Sequence, residues 1–396
     1  MATPSTDQLR ERLVRELPAL AALRRGVELP IPAALDRLLT SHGIDAEALA
    51  AVAADLTGAG PLAPLLADGR ITEIMVNGPS EVRIEVDGRL RDTDVRFTGP
   101  DHVRAVIERI LSGTGRRLDE SAPTVDAVLA DGTRLNAVLP PVAVGGPLLT
   151  LRRPRRVALH LADLVRSGSV PRVVAAFLHA AVVGRCNLVV SGGTGAGKTT
   201  LLAALCALVP AGQRIVTVED VAELRIEHPH VVAQQCRDAL VPGSTPIDVR
   251  ALLRNTLRMR PDRIMVGEVR GAEAADMVAA LNTGHPGSMS TVHANSAEDA
   301  LVRLEAMLSL AWPTTATATV RSWLAGAIDV FVHCERDMAG QRRVTQVVAM
   351  DDYNPATVYD ATEDPRLLRP PRRCLERMAR HGVDFVADTT VRVDVA

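Results

Sequence analysis

The fold of this chain can be inferred from one stretch of its sequence, Ser191-Gly192-Gly193-Thr194-Gly195-Ala196-Gly197-Lys198-Thr199-Thr200. Residues 192–199 fit the phosphate-binding loop pattern G-x-x-x-x-G-K-[ST]. Residues 186–190 before the loop, apolar except for Asn187, predict a buried strand, and residues 201–205 after it predict the start of an apolar helix. A strand, loop and helix in this order favour anion binding, because the loop amides and the N-terminus of the helix then point at the same place.

Lys198 is the only lysine in the chain, although lysine and arginine together number 45. A phosphate-binding loop uses a compact charge on a flexible stem, which a planar guanidinium does not reproduce. A composition that otherwise relies on arginine therefore has lysine at the one position where the loop chemistry requires it. We predict that residues 192–200 bind the phosphates of a nucleotide and that Lys198 reaches the β- and γ-phosphates.

The composition limits the classes of protein to which the chain can belong. At 396 residues, two or more domains are expected, and 47% hydrophobic and 23% charged residues are typical of a folded soluble protein. A net charge of −2 and 2% aromatic residues disfavour a basic nucleic-acid surface or a base-stacking platform. The five cysteines are scattered without a C-x-x-C pair, so neither a zinc site nor a disulfide framework is expected. No apolar run approaches the roughly 20 residues of a membrane span.

Hydrophobic periodicity divides the chain into three predicted parts. Residues 1–57 are expected to form a short helical segment. Residues 58–152 are expected to form an α+β domain, with strands at 71–78, 82–88, 124–129, 134–139 and 148–152 and a helix at 100–111. In residues 153–396 strands and helices alternate, which is typical of a doubly wound α/β nucleotide-binding domain.

Three polar residues stand at the ends of predicted strands in this last part. They are Glu219 after the strand 214–218, Glu268 after the strand 263–266, and His293 at the end of the strand 288–293. The carboxyl ends of parallel strands meet at one edge of the sheet, where ligands bind. We therefore expect all three side chains to lie near the phosphate-binding loop.

These residues suit the transfer of a phosphoryl group to water. Glu268 and Glu219 are the predicted catalytic carboxylates that orient or deprotonate the attacking water, together with Lys198 on the phosphates. Gly267 stands where an aspartate usually ends the strand, so Mg²⁺ would be held by Thr199, the phosphates and water. His293 is either a phosphate sensor that couples hydrolysis to movement or a hydrogen-bonded structural residue.

Five motifs in order resemble those of the type II/type IV secretion ATPases. They are the Walker A loop 192–199, the Asp box 217–224, the arginine segment 252–263, the Walker B segment Gly267-Glu268-Val269-Arg270 and the His box Thr291-Val292-His293-Ala294-Asn295. The similarity continues upstream through residues 60–62, 73–78, 115–121 and 131–136, and covers roughly residues 55 to 350. Among these ATPases the chain most resembles that of tight-adherence (Tad/Flp) pilus assembly, the CpaF-like subgroup.

The resemblance implies a homohexameric ring of subunits that carry an N-terminal α+β (PAS-like) domain and a RecA-like ATPase domain. ATP, with Mg²⁺, would lie between the two domains, where arginines of the first domain can reach the phosphates. Arg134 and Arg152 match that pattern, and a structural role near the linker is the alternative for each. A cytoplasmic motor at the inner face of the membrane is implied, acting with a polytopic platform protein in pilus assembly or protein export.

Two other functions remain open from the sequence. One is an ATPase of conjugal DNA transfer with the same site, although the balanced charge argues mildly against direct contact with DNA. The other is a scaffold in which ATP orders the ring without being hydrolysed. The chain also departs from the family pattern, since residues 312–318 replace the usual glycine-and-leucine turn and the tetracysteine module of some relatives is absent.

Overall fold

The computed structural model describes residues 58–86, 88–153, 159–237, 245–352, 354–362 and 370–385. Two compact units are distinguished along the chain, Met1–Pro154 and Arg155–Ala396. The predicted helical segment 1–57 lies outside the described residues. Among the helices in the described ranges, none combines the length and the apolar character needed to cross a membrane.

The described part of the first unit contains strands β1 (Ile71–Asn77), β2 (Val82–Val86), β3 (Arg89–Asp92), β4 (Thr124–Val128), β5 (Arg134–Val138) and β6 (Leu148–Arg152). These strands form one antiparallel sheet in the order β3-β2-β1-β6-β5-β4. A 3₁₀ turn (Gly60–Leu62), α1 (Ala63–Ala67) and α2 (Pro100–Leu111) are its helical elements. Proline at the first position of α2 suits a helix start, and Val103 and Ile107 of α2 pack with Ile74 of β1 in the core.

The second unit alternates strands and helices. Its described strands are β7 (Leu188–Gly192), β8 (Ile215–Glu219), β9 (Val231–Gln235), β10 (Arg263–Val269), β11 (Met289–His293), β12 (Val330–Arg336), β13 (Arg342–Asp351) and β14 (Asn354–Asp360). Its described helices are α3 (Leu161–Arg166), α4 (Arg172–Val183), α5 (Lys198–Cys206), α6 (Val249–Thr256), α7 (Glu273–Asn282), α8 (Ala297–Ala311), α9 (Thr317–Ala327) and α10 (Arg372–Arg380).

These strands form one sheet in the order β14-β13-β12-β7-β11-β10-β8-β9. The strands from β12 to β9 are parallel to one another, and β13 and β14 extend the sheet in antiparallel pairing. Strand β7, which leads into the phosphate-binding loop, therefore lies between β11 and β12. The neighbours of the loop come from segments about 100 and 140 residues further along the chain.

Two apolar layers cover the two faces of this sheet. Leu188 and Val190 of β7 pack in a core with α3, α4, α5 and α10, whereas Val189 faces a core formed with α6, α7, α8 and α9. Strands buried on both faces are continuously apolar, which explains why their periodicity predicted them well. The second unit is therefore a three-layer, doubly wound α/β structure.

The observed elements differ from the predicted ones at two strand ends that matter for the site. Glu219 is the last residue of β8, and β10 continues past Val266 through Glu268 to Val269. Elements with no predicted counterpart are the 3₁₀ turn, α1, α3, α4, β3, β9, β14 and α10. The four residues of β3 are all exposed and mostly charged, so that this edge strand lacks the apolar alternation by which strands are predicted.

Candidate functional site

The phosphate-binding loop leads from β7 into α5 through a backbone that glycine alone adopts readily. The φ angles of Gly192, Gly195 and Gly197 are 151°, 71° and 98°, in the region that side chains disfavour. A Cβ atom at Gly192 would also stand 2.3 Å from the carbonyl oxygen of Cys334 on β12. The motif glycines are thus required by both the turn and the close approach of β12.

Lys198 is the first residue of α5, and only 9% of it is exposed. Its ammonium donates to the carbonyl oxygens of Gly192 and Gly193, both at 2.9 Å, so the loop closes around a positive charge. Thr199, the second residue of α5, is half-buried. A curled backbone, a central ammonium and the N-terminus of a helix form an arrangement that fits a phosphate group, with Thr199 available to a magnesium ion.

Glu268 contacts His293 from a bulge in β10. Val266 pairs with Ser290 and Val269 with Val292, so that Gly267 and Glu268 together oppose the single residue between those partners on β11. Such a bulge bends the strand and redirects a side chain. Glu268 Oε1 lies 3.4 Å from His293 Nδ1.

The electrostatic environment of Glu268 favours its ionised form. Burial by itself would raise the pKa of this carboxyl group, but Arg270 opposes the effect with two hydrogen bonds and its charge. His293 and the charge of Lys198 add smaller effects of the same sign, and the pKa lies below its ordinary value. Glu268 is therefore a carboxylate, able to accept a proton, at neutral pH.

His293 lies between the loop and Glu268. Its Nε2 is 3.2 Å from Thr194 Oγ1, and its Nδ1 is 3.4 Å from both Lys198 Nζ and Glu268 Oε1. Lys198 can only donate and the Glu268 carboxylate can only accept, so the proton on Nδ1 decides which of them His293 bonds. A protonated Nδ1 pairs with Glu268, and a bare Nδ1 pairs with Lys198. The imidazole is thus able to change partner with its tautomer.

Glu219 has a different environment at the end of β8. It is 3% exposed, and its Oε1 accepts hydrogen bonds from the backbone amides of Glu223 at 3.0 Å and Leu224 at 2.9 Å. Burial raises its pKa to about 7, while the two amides act in the opposite direction. Glu219 thus stabilises the loop that follows β8 by accepting hydrogen bonds from two of its backbone amides, whereas Glu268 contacts His293.

Arg134 and Arg152 belong to the first unit, where they pair across β5 and β6. The guanidinium of Arg152 lies 3.5 Å from the carboxylate of Glu73 on β1. Their predicted contact with a nucleotide remains a prediction.

Two further arginines of the second unit lie close to the site and were not predicted. Arg270 binds Glu268, and Arg342 of β13 donates from Nε to the carbonyl oxygen of Gly195 at 2.8 Å. Arg270 follows Glu268 by two positions in the Walker B segment, so its contact with Glu268 could have been predicted from the sequence. Arg342 is separated from Gly195 by 147 positions, and its contact depends on the order of the strands in the sheet.

Comparison with known proteins supports this assignment of the fold. The profile described as "Type II/IV secretion system protein" matches residues 55–394. The solved structure of the ATPase DotB of Legionella pneumophila has 21% identity and a TM-score of 0.52, over 72% of this chain and 78% of that one. The pilus retraction motor PilT with bound ADP has 22% identity and a TM-score of 0.53, over 72% and 81%. At these identities the structures share the fold, and the predicted α/β fold class is confirmed.

Two relatives with higher identity have names from conjugal transfer. A protein of Mycobacterium tuberculosis, provisionally named a conjugal transfer protein, is 44% identical over 302 residues, which are 75% of this chain and 85% of that protein. The conjugal transfer protein TrbB of Rhizobium radiobacter is 35% identical over 292 residues, 73% of this chain and 86% of its own length. Together with the profile match, these similarities show that the chain belongs to the type II/IV secretion system protein family.

Proposed function

We propose that this protein hydrolyses ATP and converts the energy into movement of a secretion or pilus-assembly machine. The observation that carries the proposal is the chain of contacts from the loop ammonium of Lys198 through His293 to Glu268, each step being 3.4 Å. An ammonium inside a glycine loop can bind the phosphates. An ionised carboxylate can accept a proton from the water that attacks them. Family membership supports the use of a nucleotide.

In the proposed reaction the loop amides and Lys198 hold the β- and γ-phosphates of ATP. Water attacks the γ-phosphorus, its proton passes to the carboxylate of Glu268, and the bond to the oxygen of ADP breaks. ADP and inorganic phosphate are the products. A magnesium ion bound through Thr199 would neutralise charge on the phosphate oxygens. His293 would sense the γ-phosphate, and Glu219 would act as a second carboxylate from the end of β8.

The Glu268→Gln variant tests the assignment of the base. Glutamine keeps the shape and one acceptor oxygen but takes up no proton, so we expect nucleotide binding near that of the wild type and no turnover. The matched control is Glu376→Gln, which alters an exposed acid of α10 that pairs with Arg372. Normal hydrolysis by the Glu268→Gln variant would show that another group is the base. Absence of nucleotide binding by the wild type would refute the function itself.

For the machine, we propose a homohexamer that acts with a polytopic protein at the inner face of the cytoplasmic membrane. The sequence motifs favour Tad/Flp-type pilus assembly, in which the cargo is a pilin or another exported protein. The names of the relatives from Mycobacterium tuberculosis and Rhizobium radiobacter favour the second candidate, conjugal transfer. Pilus assembly and conjugal transfer would use the same ATP hydrolysis and differ in cargo.

Neighbouring genes and a binding experiment distinguish the two machines. Genes for a pilin, a platform protein and a prepilin peptidase beside this one would support pilus assembly, whereas a relaxase and a coupling protein would support conjugal transfer. ATP hydrolysis stimulated by DNA, with the stimulation lost as salt increases, would also favour conjugal transfer. Pilus output retained in the Glu268→Gln variant would instead support a scaffold that is ordered by ATP without hydrolysis.

A further inference from the structure

The hairpin of β12 and β13 forms one wall of the phosphate-binding loop. A Cβ atom at Gly197 would stand 3.2 Å from Cδ of Arg342, and the nearest atom to a Cβ at Gly195 would be Nη1 of Arg336 at 3.5 Å. The aliphatic stem of Arg342 therefore packs on the end of the loop, and the guanidinium of Arg336 lies beside its middle. Both arginines stand at the turn end of the hairpin, where β12 ends and β13 begins.

Arg342 also holds the orientation of one peptide group in the loop. Its Nε donates to the carbonyl oxygen of Gly195 at 2.8 Å. In a trans peptide the carbonyl and the following amide point in opposite directions, so the amide of Ala196 points away from Arg342. That amide donates to the carbonyl oxygen of Gly193 at 3.3 Å, and the same oxygen accepts from Lys198 Nζ at 2.9 Å. Arg342 is thus connected to the loop ammonium through the Gly195–Ala196 peptide group and the carbonyl oxygen of Gly193.

The bond from Arg342 adds to the bond between the amide of Ala196 and Gly193 in restraining this peptide group, which is preceded by a glycine. Gly195 has a φ angle of 71°, and glycine adopts positive and negative φ with similar ease. Rotation of the peptide between Gly195 and Ala196 would turn its amide outward and its carbonyl inward. A carbonyl oxygen in that place would repel phosphate, whereas an amide would bind it. A charged donor on the carbonyl oxygen opposes that rotation.

We propose that Arg342 is a positioning residue of the nucleotide site, which keeps the amide of Ala196 turned toward the phosphate side of the loop. Arg336 adds positive charge beside Gly195 and assists the same binding. The inference rests on the proposed function, since it requires that the loop binds a nucleotide. It adds to that function a part of the site that comes from the C-terminal hairpin.

Three variants of the full-length protein test the positioning role. Arg342→Met keeps an apolar stem against Gly197 but removes the donor, and Arg342→Lys keeps a charged donor. Arg343→Gln is the matched control, because Arg343 is the next residue on β13 and donates to Gln341 at the exposed end of the hairpin. The Kd for ADP, the kcat and KM for ATP, and the unfolding temperature without nucleotide are measured for each.

We expect Arg342→Met to raise the Kd for ADP by about tenfold, as the loss of one charged hydrogen bond implies. The KM for ATP should rise in parallel, with a smaller change in kcat. Arg342→Lys should recover most of the affinity, and Arg343→Gln should bind like the wild type. The unfolding temperature without nucleotide should be similar in all of them, because a merely structural role would lower it.

Some results would overturn the proposal. Wild-type affinity in a folded Arg342→Met variant would contradict the positioning role. An equal loss of affinity in Arg343→Gln would contradict it too, because it would indicate a general effect of charge. If Arg342→Met does not fold, Arg342→Leu, which also lacks a donor, replaces it with the same expected and contrary results. A wild type that binds neither ADP nor ATP would refute the proposed function, which separates that failure from failure of the positioning role.

Discussion

Arg270 donates two hydrogen bonds to one oxygen atom of Glu268, from Nε at 2.9 Å and from Nη2 at 2.6 Å to Oε2. The other oxygen, Oε1, faces His293 Nδ1 at 3.4 Å. The side chain of Arg270 is 63% exposed and that of Glu268 is 24% exposed, so the pair lies at the rim of the site. Arg270 thus keeps Glu268 ionised without covering it.

Replacement of Arg270 by glutamine should move the pH dependence of ATP hydrolysis. Arg270 lowers the pKa of Glu268 against the opposing effect of burial, so its removal raises that pKa. A base must be deprotonated, and activity is lost as the pH falls through its pKa. The acidic limb of the profile of kcat/KM against pH should therefore shift to higher pH.

The control for this change is Arg321→Gln, which removes an exposed arginine that pairs with Glu305 on the outer helices. Its pH profile should match that of the wild type. An Arg270→Gln profile with an unshifted acidic limb would mean that Glu268 is not the titrating base.

Replacement of Gly267 by alanine should destabilise the protein by about 1–3 kcal/mol, the range for overpacking a filled site. A Cβ at this position would stand 2.9 Å from Cγ of Glu219, which must then shift. Gly212→Ala is the control, because no atom lies within 4 Å of a Cβ there. Denaturant unfolding of both variants checks the prediction, and equal stability of the two would contradict it.

Replacement of Glu219 by glutamine should flatten the dependence of stability on pH. Burial raises the pKa of Glu219 from 4.5 to about 7 in the folded protein. The folded state therefore holds a proton that the unfolded state releases, and this stabilisation is complete below pH 4.5 and is lost as the pH rises through 7. Relative to Glu219→Gln, the wild type should lose on the order of 3 kcal/mol of unfolding free energy across that window.

The measurement is denaturant unfolding of the wild type and Glu219→Gln at several pH values between 4.5 and 8. Groups that titrate in both proteins, such as the histidines, cancel in the difference. A difference in unfolding free energy that stays constant with pH would show that Glu219 is already ionised in the folded protein.

Replacement of Asp329 by asparagine should destabilise the second unit. Asp329 is 1% exposed, accepts from the amide of Asn187 at 2.7 Å and forms ion pairs with Arg377 and with Arg373 at 3.4 Å. Loss of the carboxylate leaves two partly buried guanidinium groups without their counter-charge. We expect a loss of about 3 kcal/mol, near the lower end for breaking a buried ion pair, because both arginines keep some contact with water.

Glu376→Gln serves as the control for Asp329→Asn. It removes the carboxylate of an exposed ion pair with Arg372 on α10, the helix that also carries Arg373 and Arg377. Its effect on unfolding free energy should stay below about 1 kcal/mol. Similar losses in both variants would mean that the buried pair contributes no more than a surface one.

Much of the fold and part of the site could be predicted because they depend on local pattern. The loop pattern around Lys198 and the apolar strand before it are contiguous in sequence, and their structure follows from glycine conformation and periodicity. Glu268 and His293 were placed at the loop by the rule that parallel strands end at one edge, and the structure brings them together there. The edge strands β3 and β14 and the charged helix α10 escaped prediction because few of their residues are buried.

By itself, the sequence determined that a glycine loop with a single lysine joins a buried strand to a helix, and that acids follow neighbouring strands. Only the tertiary structure decided which side chains complete the site. Arg342 reaches Gly195 because β12 lies beside β7, and the bulge in β10 turns Glu268 toward His293. Local pattern sets the backbone through steric and apolar preferences, whereas the partner of a side chain depends on which distant strands pair, and no local preference encodes that.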